Sequence, residues 1–464
     1  MPEHGSLTFL TWICFVASLG GFLFGFDTAV ISGTVEFVER QFALTKVEVG
    51  WFGSAALLGC TVGALFAGGV GDRFGRKPSL ILAGVFYFVS ALYSTIPQSF
   101  SVLFWARALG GLGVGMASVL GPMYISEFSP PRLRGRIVAL YQLSIALGIL
   151  IAYLSNYLLL GLSETGSFLL EGSGFLHYVI VQEVWRGMFG AEMLPAALFT
   201  LLLFFVPESP RWLVKDGKPG HALLILAKVD GREIAEHEIH EIQESVGSRE
   251  GSVRELFAPG LRRALLVGVG LAFFGQMTGV NVVVYYGPVI MRNVGLEMGN
   301  ALFYQLALGI INLAFTVLAI WKIDTWGRRP LLVGGMAFVG LSIGITGLLV
   351  ILHAPPLLVI ILLGLYIAFL AVSICAVIWV LTPEIFPNRI RGRGASISTF
   401  TNWTTNAFSA FAFPWYVATY GLGFGFLSFA VICLFATIFF WKLVPETRGK
   451  TLEEIEGYWT DRQS

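Results

Sequence analysis

Long apolar runs separated by short polar segments dominate the pattern of this chain. Each run is uncharged or nearly so and reaches about 20 residues, the length that an α-helix needs to cross a bilayer. Such continuous runs exclude a transmembrane β-barrel, whose strands alternate over about ten residues. The pattern predicts twelve spans, at 9–33, 49–70, 79–98, 102–125, 137–160, 187–206, 262–290, 301–321, 331–352, 356–381, 395–419 and 421–441.

Composition and charge support a multi-pass membrane protein. The chain is 56% hydrophobic and 13% charged, with a mean hydropathy of +0.76. Lys and Arg cluster after even-numbered spans, whereas the loops after spans 3, 9 and 11 contain none. The positive-inside rule therefore places the even loops and both termini in the cytoplasm. Without a basic leader and cleavage site, span 1 is expected to be an uncleaved anchor in the plasma membrane, which for a bacterium is the inner membrane.

The sequence repeats itself. DRFGRKP at 72–78 matches DTWGRRP at 324–330, and segment 127–136 matches 384–393, each with one Glu and three Arg at identical spacing. Two six-span halves in the same orientation are typical of secondary transporters with a site between the halves. We predict an all-α membrane protein with twelve transmembrane helices in two six-helix halves, comprising an N-terminal half (1–206), a cytoplasmic helical segment (207–258), a C-terminal half (259–444) and a tail (445–464). Within the segment, helices are predicted at 221–230, 232–246 and 252–258.

Asp27, in span 1, is an ionisable residue at membrane depth, which is a functional hypothesis by default. Arg107, in span 4, lies at a similar depth, so we expect the two to pair. The repeat aligns them with Asn281 and Gly364, which places both charges in one half. A carboxylate that is ionised beside Arg107 and protonated away from it would bind protons in one state only. The alternative is a static pair that fixes helix packing.

The repeated cytoplasmic motifs place carboxylates and guanidinium groups at the ends of neighbouring spans, where they can form bidentate pairs. We expect these pairs to close the cytoplasmic face in one state and to break in another. The alternative is that the arginines only set topology. The candidate gate comprises Arg76, Glu127, Arg134, Glu208, Arg211, Arg328, Glu384 and Arg391.

The sequence does not indicate disulfide, metal-dependent, enzymatic or ATP-dependent chemistry. The cysteines Cys14, Cys60, Cys375 and Cys433 fall within predicted spans and are interpreted as packing residues. The sequence has no phosphate-binding loop, metal-ligand cluster or nucleophile motif, so we expect neither an enzyme nor ATP-driven transport, and no cofactor or metal. The expected partners are the lipid bilayer and a small solute, not nucleic acid, and a monomer is expected.

The whole chain resembles the sugar porter family of the major facilitator superfamily. The resemblance rests on GFLFGFDTAVISG (21–33), GDRFGRK (71–77), RALGGLGVG (107–115), PMYISEFSPPRLRGR (122–136), PESPRWL (207–213), QMTGVNVVVYYGP (276–288), INLAFTVLAI (311–320), PEIFPNRIRGRG (383–394) and PETRGKTLEEI (445–455). Within the family the chain is most similar to bacterial sugar–proton symporters. Passive glucose carriers of animals usually have Asn in place of Asp27.

The resemblance implies the major facilitator fold. It also implies alternating-access symport of a monosaccharide with a proton, with Asp27 as proton acceptor and Arg107 as its partner. Amides suit sugar hydroxyls and aromatic rings suit apolar sugar faces. The sugar-binding residues implied are Phe24, Gln142, Gln276, Asn281, Tyr285, Asn312, Trp379, Asn402 and Trp403.

The chain departs from the family pattern at three places, and two of them, Gly275 and Cys375-Ala376, affect the expected substrate and transport rate. Gly275 replaces the first of two glutamines, Ile149 replaces a glutamine of the xylose symporters, and Cys375-Ala376 replaces Gly-Pro, which should stiffen span 10. An uncoupled facilitator of a sugar or of a polyol such as inositol is the alternative function. A sugar sensor is disfavoured because only about 20 residues follow the last span.

Overall fold

The computed structural model of the protein describes residues 6–129, 134–165, 174–246, 253–258, 261–387, 390–448, 454–455 and 459. Within these ranges every regular element is a helix. Spans 1–12 correspond to Leu7–Gly33, Lys46–Phe74, Arg76–Thr95, Phe100–Phe128, Arg134–Glu164, Val184–Leu203, Leu261–Asn293, Met298–Trp326, Arg328–Ile351, Pro356–Glu384, Arg391–Tyr420 and Leu422–Leu443.

Eleven of these spans, among the described residues, are long and apolar enough to cross a membrane. The remaining one is span 11, Arg391–Tyr420, which has 30 residues but a more polar composition. Its buried face includes Ser398, Asn402 and Asn406. A polar side chain that is buried in a membrane helix is costly unless it is used, so this span is a natural place to look for a site.

Three spans are interrupted. Span 7 divides into Leu261–Met277 and Val280–Asn293, and Gly279 between them has a left-handed φ of 86°. Span 6 divides into Val184–Gly190 and Met193–Leu203. Span 10 divides into Pro356–Val372 and Ile374–Glu384 at Ser373, whose φ and ψ are −92° and −107°.

The break in span 10 corrects one expectation. Cys375-Ala376 was expected to stiffen the span because it lacks Gly and Pro. The helix nevertheless breaks two residues earlier, where the Ser373 hydroxyl donates to Leu332 O at 3.2 Å. The backbone irregularity at this level therefore does not depend on Gly-Pro.

The segment between the two predicted halves forms a small helical bundle. Pro210–Lys215, Pro219–Asp230 and Arg232–Val246 pack around a core that includes Leu213, Leu226 and Ala235. The second and third helices agree with the prediction, whereas the first was not predicted. The predicted helix at 252–258 is a short 3-10 turn, Val253–Phe257.

The contacts divide the chain into two compact units. The first comprises Met1–Asp27, Gly59–Ile149 and Phe189–Arg249, and the second comprises Thr28–Leu58, Leu150–Met188 and Glu250–Ser464. The second unit thus holds one end of spans 1, 2 and 5 with the C-terminal half. The two units are defined by contacts within the structure, whereas the predicted domain limits were defined by the sequence repeat. Those domain limits therefore remain a prediction.

Candidate functional site

A buried cluster of charges lies in the first unit. Arg107 Nη1 donates to Asp27 Oδ1 at 2.5 Å, and its Nη2 donates to Asp27 O at 2.8 Å. Glu192 Oε2 lies 4.0 Å from the same Nη1. Asp27 and Glu192 are 0% exposed and Arg107 is 1% exposed. The predicted pair is therefore brought together, and a second carboxylate shares its guanidinium group.

Glu192 is a member of this charge cluster that the sequence reasoning missed. It lies only five residues inside predicted span 187–206, so its depth by counting residues looked unremarkable. In the structure it lies at the break in span 6, immediately before Met193–Leu203. The ring of Phe189, on the other side of this break, lies 5.0 Å from the Arg107 guanidinium carbon. The sequence signal that could have identified Glu192 was a single carboxylate within an apolar run.

Glycines let the helices around this cluster approach closely. A Cβ at Gly25 would lie 2.0 Å from Ile145 O, and one at Gly148 would lie 2.0 Å from Phe22 O. Spans 1 and 5 therefore pack backbone against backbone beside Asp27. This close packing fixes the position of Asp27 along the helix axis, because neither helix can slide past the other without a steric clash.

The second unit contains a network of amides instead of charges. Gln276 Nε2 donates to Asn402 Oδ1 at 2.8 Å, and Asn281 Nδ2 donates to Gln276 Oε1 at 2.5 Å. Deeper in the unit, Asn406 Nδ2 donates to the Tyr285 hydroxyl at 3.1 Å. Asn281 is the repeat counterpart of Asp27, so one half carries ionisable chemistry and the other carries neutral hydrogen-bonding groups. Asn406 was not predicted because span 11 offers many polar residues.

The other predicted sugar-binding residues occupy different environments. Trp379 is 39% exposed, whereas Trp403 is 1% exposed. Asn312 is half-buried in the second unit, and Phe24 and Gln142 are half-buried in the first. The structure thus brings together Gln276, Asn281 and Asn402 through hydrogen bonds, and Trp379 offers an accessible ring.

The surroundings of Gly275 leave little room for the glutamine side chain that the family pattern has at this position. A Cβ there would lie 3.2 Å from Ile374 Cγ1 and 3.4 Å from Ile378 Cδ1. Both isoleucines belong to the second helix of span 10. The volume that a glutamine would need is therefore already occupied by apolar side chains, so the surroundings of Gln276 are less polar here than a paired glutamine would make them.

Arg76 organises an ion-pair cluster at the predicted cytoplasmic end of the first unit. Its Nε lies 3.2 Å from both carboxylate oxygens of Glu127, and its Nη1 donates to Asp72 Oδ1 at 2.9 Å. Glu208 accepts the backbone N–H groups of Arg76, Lys77 and Ser209 at 3.0, 3.2 and 2.7 Å. Burial raises the pKa of Glu208 above its ordinary value, although these N–H groups oppose the shift.

The second unit repeats this arrangement. Arg328 Nη2 donates to Glu384 Oε1 at 3.4 Å, and the Thr447 hydroxyl donates to Glu384 Oε2 at 2.6 Å. Glu446 accepts the backbone N–H groups of Arg328 and Arg329, both at 3.1 Å. The missed Glu446 and Thr447 correspond to Glu208 and Ser209. Their signal was present in the sequence, as PES at 207–209 and PET at 445–447.

Glycine is required where each carboxylate caps its helix. Gly75 precedes span 3 with a φ of 100°, and Gly327 precedes span 9 with a φ of 89°. A Cβ would lie 2.2 Å from Glu208 Oε2 at Gly75 and 2.8 Å from Glu446 Oε2 at Gly327. Both the backbone conformation and the approach of the carboxylate therefore exclude a side chain.

Three other predicted gate residues are Arg134, Arg211 and Arg391. The side chain of Arg134 lies outside the described residues. Arg211 is exposed on the helix Pro210–Lys215, and Arg391 is half-buried at the start of span 11. Arg76 contacts Glu127 and Arg328 contacts Glu384, so these four predicted gate residues come together in pairs.

An ion pair in the second unit links the segment after span 1 to the end of span 7. Arg292 Nε donates to Glu36 Oε2 at 3.2 Å, and Arg40 also pairs with Glu36. Nearby, the Tyr286 hydroxyl donates to Ala410 O at 2.9 Å, and a Cβ at Gly53 would lie 1.8 Å from that hydroxyl oxygen. Spans 2, 7 and 11 are therefore tightly packed at this end, which the charge pattern predicts to be external.

Comparison with known proteins agrees with this architecture. A family model described as "Sugar (and other) transporter" matches residues 13–459. The D-xylose-proton symporter of Escherichia coli (strain K12) is 37% identical, covering 99% of this chain and 97% of the relative. The arabinose-proton symporter of Bacillus subtilis (strain 168) is also 37% identical, covering 98% and 96%.

Among solved structures, the partially occluded inward open conformation of the xylose transporter XylE from E. coli matches with a TM-score of 0.84 and 35% identity. That match covers 96% of this chain and 100% of that one. These matches show the major facilitator fold and a transporter rather than an enzyme. The chain belongs to the sugar transporter family.

Proposed function

We propose that this protein is a symporter that moves a monosaccharide, a pentose or hexose, together with a proton across the bacterial inner membrane. The observation that carries the proposal is the buried cluster of Asp27, Glu192 and Arg107. Two carboxylates face one guanidinium group, so the cluster has a net charge of −1 when both are ionised. A buried net charge is costly, and one bound proton removes it.

Proton movement is coupled to sugar movement if the cluster exchanges its proton only when it is exposed to water. With its proton, the cluster is neutral and can remain dehydrated while the transporter changes state. Without it, the excess charge favours a hydrated arrangement. Asp27 is proposed as the proton acceptor and Arg107 as the residue that sets its charge state. Glu192 is added to this proposal because it supplies the second negative charge.

Sugar recognition is proposed for the amide network of Gln276, Asn281 and Asn402, with Trp379 stacking on an apolar sugar face. An amide offers a donor and an acceptor, which suits vicinal hydroxyl groups. Phe24, Gln142, Tyr285, Asn312 and Trp403 remain predicted members of the site. The E. coli and B. subtilis relatives described above are named for transport of xylose and arabinose, which supports testing pentoses first.

The two cytoplasmic clusters are proposed as the inner gate. Each joins spans of its own half through Arg76 or Arg328 and is capped by Glu208 or Glu446. Arg134, Arg211 and Arg391 remain predicted gate residues. Cytoplasmic termini and a monomeric protein also remain proposals.

Uptake into proteoliposomes tests the function. Labelled D-xylose, L-arabinose, D-glucose and inositol are compared with and without an inward proton gradient, in the wild type and in Asp27→Asn. Asp216→Asn, at a surface residue of the cytoplasmic bundle, is the matched control. We expect the wild type and control to accumulate one sugar, and Asp27→Asn to exchange it without accumulation. Equilibration by all three, with no effect of the gradient, would show an uncoupled facilitator instead.

A further inference from the structure

One face of span 3 carries three hydroxyl groups with no assigned role. Tyr87, Ser90 and Ser94 are spaced three and four residues apart, so the helical period places them on one face. All three side chains are 0% exposed. At 1.5 Å per residue they extend over about 10 Å of the helix axis. The face ends next to Thr95, the last residue of the span.

These hydroxyl groups make no hydrogen bond to the described residues. That is unusual, because a helical Ser or Thr commonly bonds to the carbonyl four residues earlier. In the same span, Ser79 does so with Gly75 O at 2.6 Å, and Thr95 does so with Ala91 O at 2.8 Å. Buried polar groups are nearly always satisfied by protein or water. Their own helix therefore does not use the hydrogen-bonding capacity of Tyr87, Ser90 and Ser94.

The hydroxyl face leads to the charge cluster. A Cβ placed on Gly110 would lie 2.4 Å from Ser90 Oγ and 3.5 Å from Asp27 Oδ1. The two oxygens are therefore at most about 5.9 Å apart, the sum of those two distances, and one bridging water can span that gap. Asp27 Oδ2 and both Glu192 carboxylate oxygens also lack a hydrogen-bond partner among the described residues. Unused acceptors and unused hydroxyl groups thus occur in the same buried region.

We infer that Tyr87, Ser90 and Ser94 form a proton relay between the end of span 3 that is predicted to be external and the Asp27–Glu192–Arg107 cluster. The inference rests on the proposed symport and adds a proton route separate from the sugar-binding amides. At each step a hydroxyl oxygen accepts a proton from its outer neighbour and releases its own hydrogen to the inner one. Only O–H bonds form and break, and water molecules bridge the remaining gaps. The final acceptor is a carboxylate oxygen of the cluster.

The test removes the hydroxyl groups with little change in shape. Ser90→Ala/Ser94→Ala is compared with Ser79→Ala, which removes a hydroxyl that already bonds to its own helix. Two readouts are made in proteoliposomes: proton influx evoked by D-xylose under an inward proton gradient, and D-xylose counterflow at equal pH. Without the relay we expect proton influx to slow about tenfold or more. Counterflow and the thermal unfolding midpoint should match the wild type.

The outcomes are separable. Unchanged proton influx in the double variant would overturn the relay and leave the symport proposal intact. Equal loss of influx and counterflow would also overturn it, because the hydroxyl groups would then only position helices. If the wild type itself takes up sugar without protons, the symport proposal fails and the relay fails with it. Tyr87→Phe provides a second variant for the same two readouts, and the relay predicts the same selective loss of influx.

Discussion

Replacing Glu192 by glutamine should uncouple proton movement from sugar movement. The change keeps the shape of the side chain but removes one of the two negative charges beside Arg107. Asp27 Oδ1 and Glu192 Oε2 lie 2.5 and 4.0 Å from the same Arg107 nitrogen, which limits their separation to about 6.5 Å. At an effective dielectric constant of about 20, two charges at or within that distance repel by at least about 2.5 kcal/mol.

The loss of this repulsion weakens proton binding. Since each 1.4 kcal/mol is a factor of about ten, the cluster should bind its proton nearly 100-fold less tightly in Glu192→Gln. The pH at which proton influx is half-maximal should therefore fall by about two units. With one proton per sugar, a gradient of one pH unit supports about tenfold accumulation in the wild type. At neutral pH the variant should accumulate almost none.

The assay is accumulation of D-xylose in proteoliposomes over a series of external pH values. Glu233→Gln is the matched control, because Glu233 is exposed on the helix Arg232–Val246 of the small bundle. The variant should recover accumulation when the external medium is made more acidic, whereas Asp27→Asn should not recover at any pH. Accumulation by Glu192→Gln that equals the wild type at neutral pH would refute the reasoning, because the second carboxylate would then contribute no charge to coupling.

Three further predictions concern the clusters outside the membrane core. Gly75→Ala should lower thermal stability more than Gly217→Ala, because both have positive φ but only Gly75 faces a carboxylate within 2.2 Å of the new Cβ; equal melting temperatures would contradict this. Arg292→Gln removes a partly exposed ion pair worth about 0.2–1 kcal/mol. It should increase the outward-open population up to about fivefold in spin-label distance measurements, and an unchanged distribution would exclude a closing role. Burial raises the pKa of Glu208, so its protonation stabilises the fold below the ordinary carboxyl pKa. That contribution is lost as pH rises through the raised pKa, and the melting temperature of Glu208→Gln relative to the wild type should therefore increase from pH 4 to pH 8. A difference that is constant with pH would contradict the burial argument.

The sequence predicted the fold well because its signals are local. A run of about 20 apolar residues has one stable solution in a bilayer, and a repeated motif reports the internal duplication directly. The pairing of Asp27 and Arg107 could also be inferred, because counting residues from span ends gives depth. Span 11 was predicted as a helix although its composition is more polar than that of the other spans.

The remaining features of the site depend on tertiary packing, which the sequence does not show. Glu192 lies near a span end by counting, yet the break in span 6 and its packing leave it 0% exposed beside Arg107. The partners of Gln276 could not be chosen by sequence, because span 11 offers several polar residues of similar depth. The contact of Arg76 with Glu127 depends on side-chain reach and helix rotation, which the spacing of the motif does not show.

The most direct test of the account is the pH change that a pulse of D-xylose evokes in lightly buffered proteoliposomes, without an imposed gradient. If Asp27, Glu192 and Arg107 form a proton site, sugar entry should alkalinise the external medium in the wild type. The same pulse should leave the pH constant in Asp27→Asn, although labelled sugar still exchanges. Sugar entry into wild-type vesicles with no change in pH would contradict the account and reduce the charge cluster to a structural element.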